Sequence, residues 1–221
     1  MASFIDPLFC CENLLPSIFG AHNFWATLTS VPMWIVPVSA LRAAHRQRAP
    51  RSVMAWLGAM AMMFLSGTIQ HMLGPDLAGV IDPVIFGNVQ NTLLAGHLTG
   101  APLPVSTTLA SLPVVFALCL SDERHRMVGE LVQGLLAPYV AVTMGYRSWP
   151  NPQCWRLFVL ALISMLAVFA FQAVEPRLCG LPGAVLWHSV VIHLVIVSTF
   201  GSVAFLGLRL LKVDTEHKKA E

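Results

Sequence analysis

Apolar residues run through this chain in long stretches separated by short polar ones. A helix that crosses a bilayer needs about 20 largely apolar residues. Seven stretches fit: Phe24–Leu41, Val53–Leu73, Asp82–Gly100, Leu103–Leu120, Met127–Tyr146, Cys154–Val174 and Ala184–Leu211. The second, sixth and seventh are clear. The third is interrupted by Asn88, Gln90, Asn91 and His97, which are expected to face the bundle interior because unsatisfied polar atoms are costly in lipid. Pro37, Pro113 and Pro138 fall inside helices and are expected to kink them. The pattern predicts an all-α fold, an integral membrane bundle of seven transmembrane helices in one domain over residues 1–221. A short segment, 1–23, precedes the first helix, and 213–221 reads as a short solvated tail. No internal repeat or low-complexity tract divides the chain.

Basic residues set the expected orientation. With the N-terminus outside and the C-terminus in the cytoplasm, Arg42, Arg46, Arg48, Arg51, Arg147, Arg156, Arg209, Lys212, Lys218 and Lys219 all fall inside. These are ten of the 13 lysines and arginines, leaving Arg124, Arg126 and Arg177 outside. Positive-inside bias favours that arrangement. The first twenty residues lack a basic start and carry Asp6, Glu12 and Pro16, unlike a signal peptide. The first helix is therefore expected to act as the membrane signal.

Composition agrees with membrane residence. Hydrophobic residues make up 56% of the chain and charged residues 11%, with a mean hydropathy of +0.70. Soluble domains carry about 25% charged residues, so most of this surface must face lipid, and membrane lipids are the expected partners. The net charge of +2 and the lack of a basic arm argue against a nucleic-acid partner.

The topology collects polar residues at one face. Ser66, Gly67 and His71 lie at the outer end of the second helix, Asp82 at the start of the third, and His188 at the start of the seventh with His193 deeper. Glu12 and Asn23 precede the first helix on the same side. Imidazole and carboxylate both suit zinc. Any one such histidine is more often an interfacial hydrogen-bonding residue than a ligand. Placement on three helices adds weight to the metal reading without deciding it.

Three stretches resemble the alkaline ceramidases, part of a superfamily of seven-helix membrane hydrolases that includes the adiponectin and progestin receptor group. The first is Cys11-Glu12 followed by Asn23-Phe24-Trp25-Ala26-Thr27-Leu28. The second is Phe64-Leu65-Ser66-Gly67-Thr68-Ile69-Gln70-His71 with Ile81-Asp82-Pro83, where the interval from His71 to Asp82 agrees. The third is Ala184-Val185-Leu186-Trp187-His188. The resemblance spans the chain and implies zinc-dependent hydrolysis of a lipid amide, by polarising the carbonyl and lowering the pKa of a bound water. It implies that His71 and His188 are zinc ligands, with Asp82 orienting or deprotonating the water.

The chain also departs from the family. Ala184 replaces the first histidine of the terminal motif, and Gly67 holds the serine position, with Ser66 one residue earlier. A helix turns about 100° per residue, so Ser66 is expected to point elsewhere unless the helix is distorted. His193 is a substitute third ligand, but 188 and 193 lie roughly 140° apart on a regular helix. A π-bulge would bring them closer. Alternatively, Asp82 joins two histidines in the metal's shell. Of the five side-chain positions in the family's calcium site only Glu12 matches; Phe9, Cys10, Leu14 and Asn23 hold the others, so no calcium is expected. The resemblance also implies a Cys11–Cys179 bridge, with Cys10 a competitor.

The function expected from this resemblance is a zinc-dependent membrane hydrolase of a lipid amide or ester, with its site at the extracytoplasmic face. The alternative is a non-catalytic relative serving as a structural or accessory subunit among the protein partners of a larger membrane complex. A pigment or haem protein using His71 and His188 rests on paired histidines alone. The remaining polar and sulfur residues have simpler expectations: a buried hydrogen bond for His97, a helix-dipole position for Glu130, and packing for Met60, Met62, Met63, Cys119 and Cys154.

Overall fold

The computed structural model describes residues 24–73, 83–119, 122–178 and 187–220. Seven α-helices account for almost all of them: α1 Phe24–Arg46, α2 Arg51–Leu73, α3 Pro83–Thr99, α4 Leu103–Cys119, α5 Asp122–Ser148, α6 Pro152–Leu178 and α7 His193–Ala220. A π-helical turn, Trp187–Ile192, leads directly into α7. Among the described residues, four helical stretches are long and apolar enough to cross a membrane: Arg51–Leu73, Met127–Ser148, Pro152–Glu175 and Val190–Leu211. They mark the chain as a helical membrane protein. α3 and α4 are 17 residues each, and α4 is the shorter apolar helix of the set.

Several helices outrun the apolar stretches that predict them. α1 continues to Arg46 and α5 begins at Asp122, because a backbone already in helical register continues one bond per residue until a breaker intervenes. α7 continues through 213–220, the stretch read as a solvated tail, where Glu216, Lys218, Lys219 and Ala220 are good helix formers. Pro37, Pro113 and Pro138 lie inside α1, α4 and α5, as does Pro32 in α1.

The breakers are visible between helices. Gly100 adopts φ 71° just beyond α3, and the Ala101 amide donates to the Gly96 carbonyl at 2.8 Å before Pro102 ends the run. Asn151 caps α6: its Oδ1 accepts from the amides of Gln153 and Cys154 at 2.9 and 3.1 Å, with Pro152 in the first turn.

Side-chain contacts fix the direction of every helix. Ser52 meets His97 at 3.0 Å, and Trp56 Nε1 donates to Gln90 Oε1 at 3.0 Å, so the start of α2 lies beside the end of α3. Gly96 packs on Ser106, joining the end of α3 to the start of α4. Asn88 Nδ2 donates to the Gly129 carbonyl at 3.0 Å, placing the starts of α3 and α5 together. Gly145 meets Phe158, and Ser164 meets Ser198 at 3.2 Å, so α5, α6 and α7 alternate in direction. Thr29 contacts His193, and Val36 contacts Gly201, making α1 and α7 parallel neighbours. The seven helices therefore run up and down. Arg42, Arg46, Arg48, Arg51, Arg147, Arg156 and Arg209 gather at one end of the bundle, and His71 and His193 lie at the other.

The buried core joins α1, α2, α3 and α7 around Trp56, Leu57, Met60, Leu94 and Leu206, all 2% exposed or less. As the sequence predicts, the polar side of α3 turns inward: Asn88, Gln90 and Asn91 are 1, 4 and 8% exposed. His97 is likewise hydrogen-bonded, through Ser52. Two packing expectations differ. Met60 and Met63 are core residues but Met62 faces out, because three residues so close on a helix cannot share one face. Cys154 is buried, whereas Cys119 is exposed at the end of α4. On α5, Leu131, Leu135, Tyr139, Val142 and Tyr146 form an exposed apolar stripe, which a hydrocarbon solvent accommodates and water would not.

Small residues permit the closest approaches. A Cβ on Gly207 would stand 2.6 Å from two ring atoms of the fully buried Trp56, whereas nothing lies within 4 Å of one on Gly58. Gly207→Ala is expected to destabilise the bundle by about 1–3 kcal/mol through overpacking. Gly58→Ala is expected to be neutral or mildly stabilising, by about 0.5–1 kcal/mol at most. Thermal melts of both variants in one detergent check the pair; equal midpoints would contradict this packing.

Candidate functional site

The histidine end is built by three helices. α2 delivers His71 in its last turn, α1 delivers Thr29 near its start, and α7 opens with His193. The His71 and His193 rings lie 5.4 Å apart between centroids, inclined at 58°. Thr29 Oγ1 is 2.9 Å from His193 Nδ1. His193 is 2% exposed and His71 is partly exposed, so the pair runs from the bundle interior toward its surface.

The position of His193 depends on the π turn that precedes it. Apolar residues dominate the turn (WHSVVI), and its last residue, Ile192, is fully buried. Trp187 anchors its start: Nε1 donates to the Phe171 carbonyl of α6 at 3.3 Å, and the two rings meet edge to face at 5.1 Å. A π turn closes its hydrogen bonds from i to i+5 rather than i to i+4. Positions 188 and 193, separated by that interval, are therefore brought toward one face. The roughly 140° separation expected on a regular α-helix does not apply here. The His188 side chain itself lies outside what is described.

The second helix is regular throughout, and this settles where Ser66 points. Ser66 is 2% exposed, and its hydroxyl donates to the Met63 carbonyl at 2.7 Å within α2. Five residues separate it from His71, a rotation of about 140°. Gly67, one turn before His71, instead faces α3: a Cβ there would be 4.0 Å from Cβ of Pro83. Asp82 lies outside the described residues, as do Glu12, Ala184 and both partners of the Cys11–Cys179 pairing.

Zinc can be tested against the two described imidazoles. With Zn–N bonds of about 2.0–2.1 Å in a tetrahedral shell, two ligating rings have centroids about 5 Å apart. The observed 5.4 Å fits that spacing. A metal-binding histidine commonly uses its second ring nitrogen for a hydrogen bond that fixes tautomer and orientation. Thr29 Oγ1 stands at hydrogen-bond distance from His193 Nδ1, a contact of that kind. Among the described residues, no three His, Cys, Asp or Glu side chains form a metal-sized group. His188 and Asp82, the further ligands that the resemblance implies, have side chains outside what is described.

One residue at this end has no counterpart in the sequence reading. Glu175, near the end of α6, is fully buried, one turn beyond Phe171. Buried acids in membrane helices are functional candidates by default. The hint in the sequence is a carboxylate directly after the apolar run 154–174, which is equally what an ordinary helix end contains.

No protein-family model, curated protein or solved structure matches this chain.

Proposed function

We propose that the chain is a multi-pass membrane protein of seven spans, with its histidine end on the extracytoplasmic side. Its proposed function is zinc-dependent hydrolysis of a lipid amide or ester bond, as in the alkaline ceramidases it resembles. The apposition of His71 and His193 at metal-ligand spacing carries this reading. The arginine-rich opposite end supports the orientation, since basic residues accumulate on the cytoplasmic side.

The proposed division of labour follows from the residues. His71 and His193 hold the ion, and Thr29 fixes the His193 ring by its bond to Nδ1. His188, in the π turn that leads into His193, is the proposed third imidazole. Asp82, immediately before α3, accepts a proton from the attacking water. Zinc, when bound, lowers that water's pKa toward neutrality and polarises the scissile carbonyl. Lipid-facing apolar helix surfaces around the bundle let an acyl substrate approach within the plane of the membrane.

One observation favours a second reading, a non-catalytic accessory subunit. The only serine near the family's serine position is Ser66, and its hydroxyl is bonded to its own helix and turned away from His71. Together with Ala184, this is what a site that has lost its chemistry would contain. Metal content separates the two readings.

Purified full-length protein is expected to carry about one zinc per chain, read by elemental mass spectrometry, and His71→Ala or His193→Ala should lose it. Thr29→Val should weaken zinc affinity about 10–100-fold by removing the orienting bond. Protein that holds no zinc even after zinc is added, and copurifies with other subunits, would overturn the hydrolase reading. For catalysis, Asp82→Asn should keep the zinc yet lower the rate of ceramide hydrolysis in mixed micelles about 10²–10⁴-fold. Hydrolysis unaffected by that change would remove Asp82 from the mechanism.

A further inference from the structure

The arginine end of the bundle holds an open cleft of about 610 Å³, far from the histidines. Its walls are the opening turns of two helices, Arg51 and Ser52 of α2 and Leu103, Pro104 and Thr107 of α4, together with Ala101 from the α3–α4 connection. Arg51 and Thr107 are exposed, so an occupant can reach both side chains. Thr107 returns its hydroxyl proton to the Leu103 and Pro104 carbonyls at 2.9 and 3.0 Å, and Ser52 meets His97. The cleft therefore offers one charged group, the Arg51 guanidinium, in a mostly apolar wall.

The surrounding charge has one sign. Arg42, Arg46, Arg48 and Arg51 are all exposed, and residues 24–75 and 83–121, which contain α1 to α4, include no aspartate or glutamate. Asp214 and Glu216 lie toward this end on α7, which packs on α1 and α6, whereas α4 packs on α3 and α5.

Arg48 stands out within this group. It ends α1 at φ 54°, with its amide donating to the His45 carbonyl at 3.1 Å and the Ala49 amide to the Ala44 carbonyl at 2.9 Å. α3 ends in the same hydrogen-bonded turn, with Gly100 at φ 71° in the corresponding place. Both turns continue through Ala-Pro into the next helix. Glycine fits a positive φ without steric cost and a larger residue does not. The chain thus carries a guanidinium where its own neighbouring turn uses glycine.

α2 fixes the level of the cleft. Its 23 residues span about 35 Å at 1.5 Å per residue, slightly more than the hydrocarbon core of about 30 Å. Arg51, its first residue, stands at headgroup level. From the cleft, the Pro104 side of α4 continues through Val115 and Leu118, 11 and 14 residues on, which are 47 and 65% exposed. Hydroxyls along that side, on Thr108 and Ser111, bond back to their own helix, leaving it suited to an acyl chain. A phosphate beside a guanidinium with hydrocarbon below it is the outline of an anionic lipid.

We propose that this cleft binds an anionic glycerophospholipid, with its phosphate on Arg51, added attraction from Arg48, and one acyl chain along the Pro104–Leu118 side of α4. The proposal rests on the multi-pass reading and is independent of the metal chemistry, because the cleft uses no residue of the histidine end.

The test uses full-length protein in phosphatidylcholine nanodiscs. Two ether-linked probes carry the same diazirine-labelled alkyl chain, one with a phosphoglycerol headgroup and the other with phosphocholine. Crosslinks within 103–118 are expected to favour the phosphoglycerol probe about 25-fold, about five-fold for each of two arginines. Arg51→Gln should cut that preference about five-fold, and Arg156→Gln, at the same end on α6, should leave it unchanged. Arg48→Gly should also cut it about five-fold while raising the melting temperature in pure phosphatidylcholine discs, a split that a merely structural role would not produce. Equal labelling of 103–118 by both headgroups would overturn the site. So would an equal preference within 152–158 beside Arg156, which diffuse attraction alone would give. The phosphocholine probe should also mark the outer stripe of α5 at Leu135 and Val142. If it does not, the chain is not embedded, and the multi-pass reading fails and takes the site with it. The comparison of headgroups on the native chain decides the matter even where a variant fails to fold.

Discussion

Lipid offers no hydrogen bonds, and this constraint organises the bundle. α3 bears its full weight. It places Asn88, Gln90 and Asn91 within a single turn, and only an internal position can satisfy them. Trp56 of α2 answers Gln90, Gln90 bonds Asn91, and Gly129 of α5 answers Asn88 from the other side. α3 is thereby held between α2, α4 and α5. Glycines at the crossings let backbones close up where bulkier residues would hold them apart. The outer faces of α4, α5 and α6 are largely apolar, and exposed hydroxyls such as those of Thr108 and Ser111 bond back to their own helix.

The histidine end follows the same logic with a different outcome. His193 is almost wholly buried, and Thr29 supplies a partner for one ring nitrogen. In the proposed function a metal ion is the partner that the imidazoles share. A continuous α-helix would set positions 188 and 193 far apart around its axis. The π turn removes that separation locally, between the Trp187 anchor and the start of α7. π-bulges occur often at functional sites, where one added residue per turn re-aims side chains. On this reading, the imidazole absent at Ala184 is replaced from the other side of the turn.

The polar groups of α3 and those of the histidine end are satisfied to different degrees. At the histidine end, groups from three helices converge on one another. Between α3 and α5, Asn88 buries an acceptor that no group among the described residues answers. α4 is a 17-residue apolar helix with most of its surface exposed.

Much of this architecture was legible in residue order. Long apolar runs marked the helices, because 3.6-residue geometry and bilayer thickness together fix how much apolar chain a span requires. The inward side of α3 was equally legible, since its amides have no tolerable alternative. Helix ends were less so: polar residues such as Asp122 or Lys218 extend a helix that hydropathy alone stops early. Sequence could also place His71 and His193 at one end of the bundle, but not their ring separation. That distance depends on the crossing of α2 with α7 and on a π turn with no compositional signature. Nor could the sequence foresee that Asn88 would satisfy one amide atom and strand the other. Local periodicity determined which residues enter the bundle. Only the packing of helices against one another decided which of their polar groups meet, because side chains distant in sequence become neighbours only after the backbones have closed around them.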